Sequence, residues 1–325
     1  MTGFDRSALV AEAALAPSVH NVQPGRWRWI GDDGLALFED LRCRLTVGDP
    51  HANDAGISLG AAVEGMRLAA GRRGLALLPA GRPADEPDLR GVAAWRVVMG
   101  GDVDPLADVV EARRSWRGAF AKPTLMDRSV AAALVAQDAA VLTDAAALRH
   151  AATRYDAASY GFLRDDAFRA ELRGWMRFDR RHPRWDMDGL NAEAMAMNGL
   201  EAQGAKLVLG PAFRLLDRVG LGRPLLAEGA KIAKAAGLVL FHRPRDEAPL
   251  DSGAAFYRLW LRIEAAGFGA AVLAAIADDP DVAAELGRAA GLDDDRRIVS
   301  AFRIGRRPAG AAPARARRPM TELIV

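Results

Sequence analysis

Apolar and polar positions along the chain follow helical and strand periods by turns. Leu9, Val10, Ala13 and Ala14 fall on one helical face behind Asp5, which predicts a capped helix over 7–14 that Pro17 ends. The polar stretch Pro17-Ser18-Val19-His20-Asn21-Val22-Gln23-Pro24 reads as a loop bracketed by prolines. Residues 26–30 and 35–39 flank a Gly-Asp-Asp-Gly turn and predict two short strands. Residues 57–70 are apolar around most of the circumference, broken mainly by Ser58, Glu64 and Arg67, so this helix should be buried on several sides. A second nearly all-apolar helix is expected over 254–266. Strands are expected at 95–99, 237–241 and 298–304, and helices at 104–113, capped by Asp104, and at 128–137. The stretch 144–234 reads as helical, interrupted by the charged, aromatic, turn-rich segment 180–189. The tail 308–319 is Ala/Pro/Arg-rich and low in complexity.

The two apolar helices echo each other. Gly60-Ala61-Ala62, Leu68 and Gly74 recur, shifted by 193, as Gly253-Ala254-Ala255, Leu261 and Gly267. Similar strands follow, Ala94-Trp95-Arg96-Val97 and Ala301-Phe302-Arg303-Ile304. Two alanine-rich helices can match by chance; an ancestral duplication, with two α+β halves packing their buried helices as a pseudo-dimer, accounts for the same echo. On that second reading the halves are 1–105 and 106–325, the latter carrying an insertion at about 144–234.

Composition narrows the class. In 325 residues, 50% hydrophobic and 26% charged positions describe an ordinary globular chain. Lys+Arg 44 against Asp+Glu 42 leaves a net charge of +2, which argues against a dedicated nucleic-acid binder. The lone Cys43 has no disulfide partner in the chain, so a reducing compartment is the default; Arg42 and Arg44 beside it are a setting that lowers a thiol pKa, although a structural cysteine is the simpler reading. No uninterrupted apolar run reaches the ~18 residues of a membrane span, and residues 1–6 lack the basic-then-apolar layout of a secretory leader. The expectation is a cytoplasmic protein without a membrane or nucleic-acid partner.

Candidate chemistry is sparse. Gly56-Ile57-Ser58-Leu59-Gly60 spells the nucleophile elbow of α/β-hydrolases, but a polar turn and not a strand precedes it, and Ser58 suits a helix-start cap better. There is no G-x-G-x-x-G, and the five histidines are scattered without zinc-like spacing. Two clusters remain. If Arg113-Arg114-Ser115-Trp116-Arg117 is extended, Arg113, Ser115 and Arg117 project to one side and match a phosphate and polyol chain; a basic helix end paired with Glu111 explains the same residues. The amide and hydroxyl groups of loop 17–24 suit a planar heterocycle; an ordinary helix-to-strand turn suits them too.

Together the two clusters resemble something more specific. Ala16-Pro17-Ser18-x-x-Asn21-x-Gln23-Pro24 before a strand, and Arg113-Arg114-Ser115-x-Arg117 before the Pro123-bearing helix start, look like the two FMN-binding signatures of the nitroreductase superfamily. The run Ala265-Ala266-Gly267-Phe268-Gly269, the residues 270–275 after it, and Arg317-Arg318-Pro319 are similar to that family's C-terminal part. The signatures stand in inverted order, at residue 17 and then at residue 113, as in the fused, Acg-like branch, where one chain stands in for a homodimer. One departure is Gly25 where a Trp is expected after Gln-Pro, with Trp27 two residues later.

The resemblance implies an α+β nitroreductase-like fold, with two fused halves and mostly antiparallel sheets around buried central helices. It implies FMN, with NAD(P)H as reductant and a small organic acceptor, the flavin itself carrying the chemistry. Arg113, Arg114, Ser115 and Arg117, helped by Arg315 or Arg317, would hold the phosphate and ribityl chain. Pro17, Ser18 and Asn21 would line the isoalloxazine from the other half, and backbone N–H groups near Ala274 and Ala275 would face N5. Segment 180–189 stands where that branch has a lid, His20 is read as a loop histidine, and a monomer with an internal interface is expected. The alternatives are an FMN-sequestering protein with little turnover or, more remotely, a hydrolase.

Overall fold

Two sheets flank a pair of central helices. The computed structural model describes residues 4–311 and 314–325; Met1–Gly3, at the start read as lacking a leader, and positions 312–313 of the tail lie outside them. The chain opens with α1 (Arg6–Ala13), β1 (Gly25–Ile30), β2 (Gly34–Asp40), α2 (Asn53–Gly71), β3 (Leu75–Gly81) and β4 (Leu89–Met99). Then come α3 (Leu125–Ala132), β5 (Ala139–Leu142), α4 (Ala145–Arg164), α5 (Asp166–Trp175), β6 (Met176–Arg177) and β7 (Leu190–Asn191). Four short helices follow, α6 (Gly199–Val208), α7 (Phe213–Arg218), α8 (Gly222–Leu226) and α9 (Gly229–Ala233). The chain closes with β8 (Gly237–Pro244), α10 (Pro249–Ala265), β9 (Gly269–Val272), α11 (Ala275–Asp278), α12 (Pro280–Ala289), β10 (Arg296–Gly305) and α13 (Met320–Leu323).

The first sheet has the order β1-β2-β4-β3 and the second β5-β8-β10-β9, with every neighbouring pair antiparallel. Position by position the two sheets therefore share one layout. The second differs by what is inserted: α4 to α9, with the two-stranded β6-β7 ladder, stands between β5 and β8, where the first sheet has a three-residue turn at 31–33.

Small residues let α2 and α10 touch backbone to backbone. A Cβ on Gly60 would lie 1.9 Å from the Leu250 carbonyl oxygen, and one on Gly253 would lie 2.2 Å from the Ile57 carbonyl oxygen. Leu250 follows Ile57 by the same 193 residues that separate Gly253 from Gly60, so the contact is reciprocal. Arg258 on α10 reaches across to Glu64 on α2 and to Asp104, both at 2.7 Å. On either side lie the cores: Trp27, Leu35, Leu37 and Trp95 under the first sheet, and Phe241, Phe256, Trp260 and Phe302 under the second, where Phe256 stacks on Phe302 at 5.1 Å.

Several elements depart from expectation. Strand β3 carries Pro79 and small residues, a weak strand signal that an edge position tolerates. The helix expected over 104–113 is only a 3₁₀ turn at Pro105–Val109, after which the chain extends. The helix expected at 128–137 starts earlier because Thr124 and Asp127 form a reciprocal capping box, and it is over by Ala132. Ser58 is not a helix-start cap: it lies inside α2, which begins at Asn53.

Candidate functional site

Loop 17–24 joins α1 to β1 under strain. His20, Asn21 and Gln23 all adopt left-handed backbone angles (φ 42°, 56° and 51°) without being glycine, a conformation that persists only where surroundings impose it. The Ser18 hydroxyl accepts from the Gln23 N–H at 2.9 Å, and the Ser58 hydroxyl accepts from the Val19 N–H at 3.1 Å while donating to the Asp54 carbonyl at 2.7 Å. Ser58 is thus buried and committed to holding the loop, which leaves it no role as a nucleophile.

The Arg-Arg-Ser cluster is extended, as one of its two sequence readings required. It runs beside β9, with Ser115 bridged to Ala270 and the Trp116 N–H donating to the Ala270 carbonyl at 2.8 Å. Arg113 is 2% exposed; its Nη2 donates to the Leu15 carbonyl at 2.6 Å and its guanidinium lies 4.6 Å over the Trp260 ring. Arg317 comes to the same place from the tail, donating to the Leu15 carbonyl and the Asn21 Oδ1, both at 3.0 Å. Arg315 donates to the Arg113 carbonyl at 2.9 Å and pairs with the exposed Glu111 at 3.0 Å, while Arg114, at the rim, donates to the Glu111 carbonyl.

This recess is short of anions. The buried Nε atoms of Arg113, Arg315 and Arg317 have no hydrogen-bond partner among the described residues. Burial lowers the Arg113 pKa, and burial followed by the Arg113 charge brings Arg317 down to about 9. Three neighbouring guanidiniums with unpartnered Nε donors, against the exposed Glu111 and a Glu264 already paired with Arg307, fit an anionic group such as a phosphate.

Arg117 lies at the other end. Four residues of extended chain span roughly 13 Å, and the groups that bear on the Arg117 charge are Glu228 and Tyr155, while Arg117 in turn bears on His20. Among the described residues it forms no ion pair. Enclosure, then the Arg117 charge, pushes His20 down to about 4, so the imidazole is neutral near pH 7. Burial, then Glu228, pushes Tyr155 up to about 12. Arg303 on β10 is buried beside them and donates to the carbonyls of Gly118 (3.0 Å) and Trp116 (3.3 Å). After β9 the chain turns at Ala274, which is exposed; neither its N–H nor that of Ala275 donates to any described residue. Asp278 is one turn further on, its N–H donating to the Ala274 carbonyl at 3.0 Å. Burial and then Asp49 raise the Asp54 pKa, and burial and then Asp54 raise that of Asp278.

Segment 180–189 is a clamp fastened over loop 17–24. Asp188, 1% exposed, accepts from Arg177 (2.8 Å) and Arg184 (2.6 Å) and forms an ion pair with Arg318 (2.8 Å). The Gln23 amide donates to the Met187 carbonyl at 2.8 Å, and the Arg317 N–H to the Asp186 carbonyl at 3.0 Å. The Asn21 amide donates to the carbonyls of Gly189 and Ala316, each at 3.2 Å. Asn21 therefore ties loop, clamp and tail together, with Pro17 buried and Ser18 half-buried beside it. Nor do the basic flanks of Cys43 produce a reactive thiolate: the residue is buried, and burial pushes the thiol up despite Arg26 and Arg318 at 3.6 Å.

Tyr155, Asp54 and Asp278 join the site without any motif that names them. Arg303 did carry a signal, a lone cation inside the apolar run 298–304.

No protein-family model and no curated protein matches the sequence. Solved structures of similar fold include a nitroreductase with bound FMN from Bacteroides fragilis, at 13% identity and TM-score 0.37 over 65% of this chain and 92% of that one. They also include the FMN and NADPH-dependent nitroreductase NfnB from Sphigopyxis sp. strain HMH (17%, 0.36, 68% and 98%) and a BluB-like flavoprotein from Clostridium difficile 630 (14%, 0.38, 68% and 98%).

Proposed function

We propose that this chain is an FMN-dependent oxidoreductase of the nitroreductase type, taking reducing equivalents from NAD(P)H to a small organic acceptor. The observation that carries the reading is the cluster of Arg113, Arg315 and Arg317, whose buried Nε donors have no partner among the described residues. The phosphate goes there, with Ser115 on the same extended segment serving the ribityl chain. Arg117 does not join that phosphate clamp, because its guanidinium is at the far end with His20 and Tyr155; it serves the ring end of the flavin, where reduction adds negative charge.

FMN, when bound, supplies the acceptor and donor of the hydride. The chain's own residues then have separable tasks. Ala274 and Ala275 carry backbone N–H groups with no acceptor among the described residues, which would donate to the ring edge. Neutral His20 and the strained loop 17–24 wall the other side, held by Ser58 and the clamp. The raised pKa values of Asp54 and Asp278 keep a proton on that pair near neutral pH. The shared strand order and the reciprocal contact at Gly60 and Gly253 support reading the halves, 1–105 and 106–325, as a fused pseudo-dimer.

The test is spectroscopic. Purified protein titrated with FMN should quench flavin fluorescence, and anaerobic NADPH or NADH should bleach the flavin absorbance band. Absence of binding removes the reading; binding without bleaching by either nucleotide leaves a flavin-sequestering protein.

A further inference from the structure

The layer formed by α6, α7 and α8 is built inside out. Polar contacts tie it to the body beneath: the Tyr160 hydroxyl donates to Asp217 at 2.7 Å, Arg164 reaches Asp217 at 3.2 Å, and Arg214 pairs with Asp166. Its buried apolar side chains are Ala202, packed near Trp185, Leu209, and Phe213, which lies against Tyr160 and Arg169. Other aliphatic side chains face outward. Leu200 and Leu207 lie two turns apart on α6, Leu215 and Val219 one turn apart at α7, and Leu221 and Leu225 one turn apart at α8, all between 54% and 85% exposed. A helix packed on a globular body normally turns such a stripe inward.

Charge accompanies the stripe. Residues 199–234 hold six cations (Lys206, Arg214, Arg218, Arg223, Lys231, Lys234) against three carboxylates, in a chain whose overall balance is only +2. Among the described residues Lys206, Arg218, Arg223 and Lys234 have no ion-pair partner. Three of the chain's four lysines lie in this stretch.

We infer that α6–α8 form a peripheral docking surface for an anionic phospholipid bilayer, the leucines entering the headgroup boundary and the free cations meeting lipid phosphates. The unpaired positive charge selects the occupant: it repels a second copy of the same face and attracts an anionic plane. The stripe also has no exposed aromatic residue of the kind that anchors protein–protein interfaces. No helix among the described residues is long and apolar enough to cross a membrane, so the attachment lies in the plane of the interface. The sequence-based expectation of no membrane partner rested on the lack of a spanning run, which does not bear on this mode.

The full-length protein is sedimented with sucrose-loaded vesicles of phosphatidylcholine alone or with added phosphatidylglycerol. Binding should appear with phosphatidylglycerol and weaken as salt is raised. Each cation at an anionic surface is worth about five-fold in partitioning, so Arg218→Glu with Arg223→Glu should lower it by about twenty-fold or more. Leu215→Glu with Leu221→Glu, at exposed sites where folding is unaffected by far-UV circular dichroism, should abolish it. Equal sedimentation with both lipids, or binding that survives the leucine substitutions, overturns the proposal. So does a mass by light scattering that doubles and returns to the monomer value in the leucine variant, since the stripe would then be a self-association surface.

Discussion

Gly60 and Gly253 occupy each other's closest approach: each leaves room for a carbonyl three residues before the other, Leu250 in one case and Ile57 in the other. Neither helix can move apart without opening the interface along its length. A methyl group at either position meets a backbone oxygen with no side chain to swing aside. Gly60→Ala and Gly253→Ala should each destabilise by ~3 kcal/mol or more, and by similar amounts. Urea unfolding midpoints measure this; a near-neutral result at one glycine alone would show that the contact is not reciprocal.

Separating Arg113 from Arg117 makes a binding prediction. Arg113→Ala or Arg317→Ala should weaken FMN by about ten-fold or more, the loss of a charge-assisted contact of ~1.5–3 kcal/mol, and leave riboflavin unchanged. Arg117→Ala should weaken both ligands alike. Titrations of the two flavins decide it; equal discrimination in all three variants would place the phosphate elsewhere.

Stoichiometry follows from an asymmetry between the segments that lead into the two sheets. After α3 the chain passes to β5 through 133–138, which offers no Pro-Ser or Asn pattern to answer loop 17–24. One flavin per chain is expected when heat-released flavin is quantified against protein. A ratio near two would require a second site.

Asp54 should leave a signature in stability against pH. Burial raises its folded pKa above the unfolded value, so the folded state holds a proton that the unfolded state has released. Stability from this group is full below the unfolded pKa, near 4, and is lost as pH climbs toward the folded value of about 7. Asp54→Asn, which mimics the protonated side chain, should match the parent's melting temperature at pH 4 and exceed it at pH 9. A difference that does not vary with pH would show that Asp54 titrates normally.

Asp188 collects three guanidiniums in a buried position. Asp188→Asn leaves Arg177, itself buried, without a carboxylate and should cost ~3–5 kcal/mol. Faster hydrogen exchange should then appear in loop 17–24, because clamp and loop share hydrogen bonds through Gln23 and Asn21. Unchanged exchange there would show that the loop holds its strained shape unaided.

How much of this was readable in the sequence depended on how local the causes were. The central helices and the β1–β2 hairpin announced themselves through periodicity and turn chemistry, whereas the arginine-bearing segments stood out only through the family resemblance. Strand β3 did not, because Pro79 and its small neighbours suppress the strand signal and only pairing with β4 makes it a strand. In the candidate site, the arginines were visible as a cluster, yet nothing local could say that Arg113 and Arg117 face different surroundings. That division is set by Trp260 and Tyr257 on α10 and by Tyr155 on α4, over a hundred and about forty residues away respectively. The role of segment 180–189 was likewise hidden, since its bulk suggests a flap while its fastening comes from the tail residues Arg318 and Glu322.

The unequal insertions set an order of assembly. Strands β1 and β2 are joined by residues 31–33, whereas β5 reaches β8 only after residues 143–236 have been accommodated. Closing the longer loop costs ~3 kcal/mol more in chain entropy, and contacts of such sequence separation form slowly. The first sheet can therefore be complete while the second is still open. During that interval the glycine-faced side of α2 stands uncovered, waiting for α10, and the arginine recess does not exist. Flavin capture at the proposed site is thus expected late in the life of the chain, after a translating ribosome has released residues 296–318.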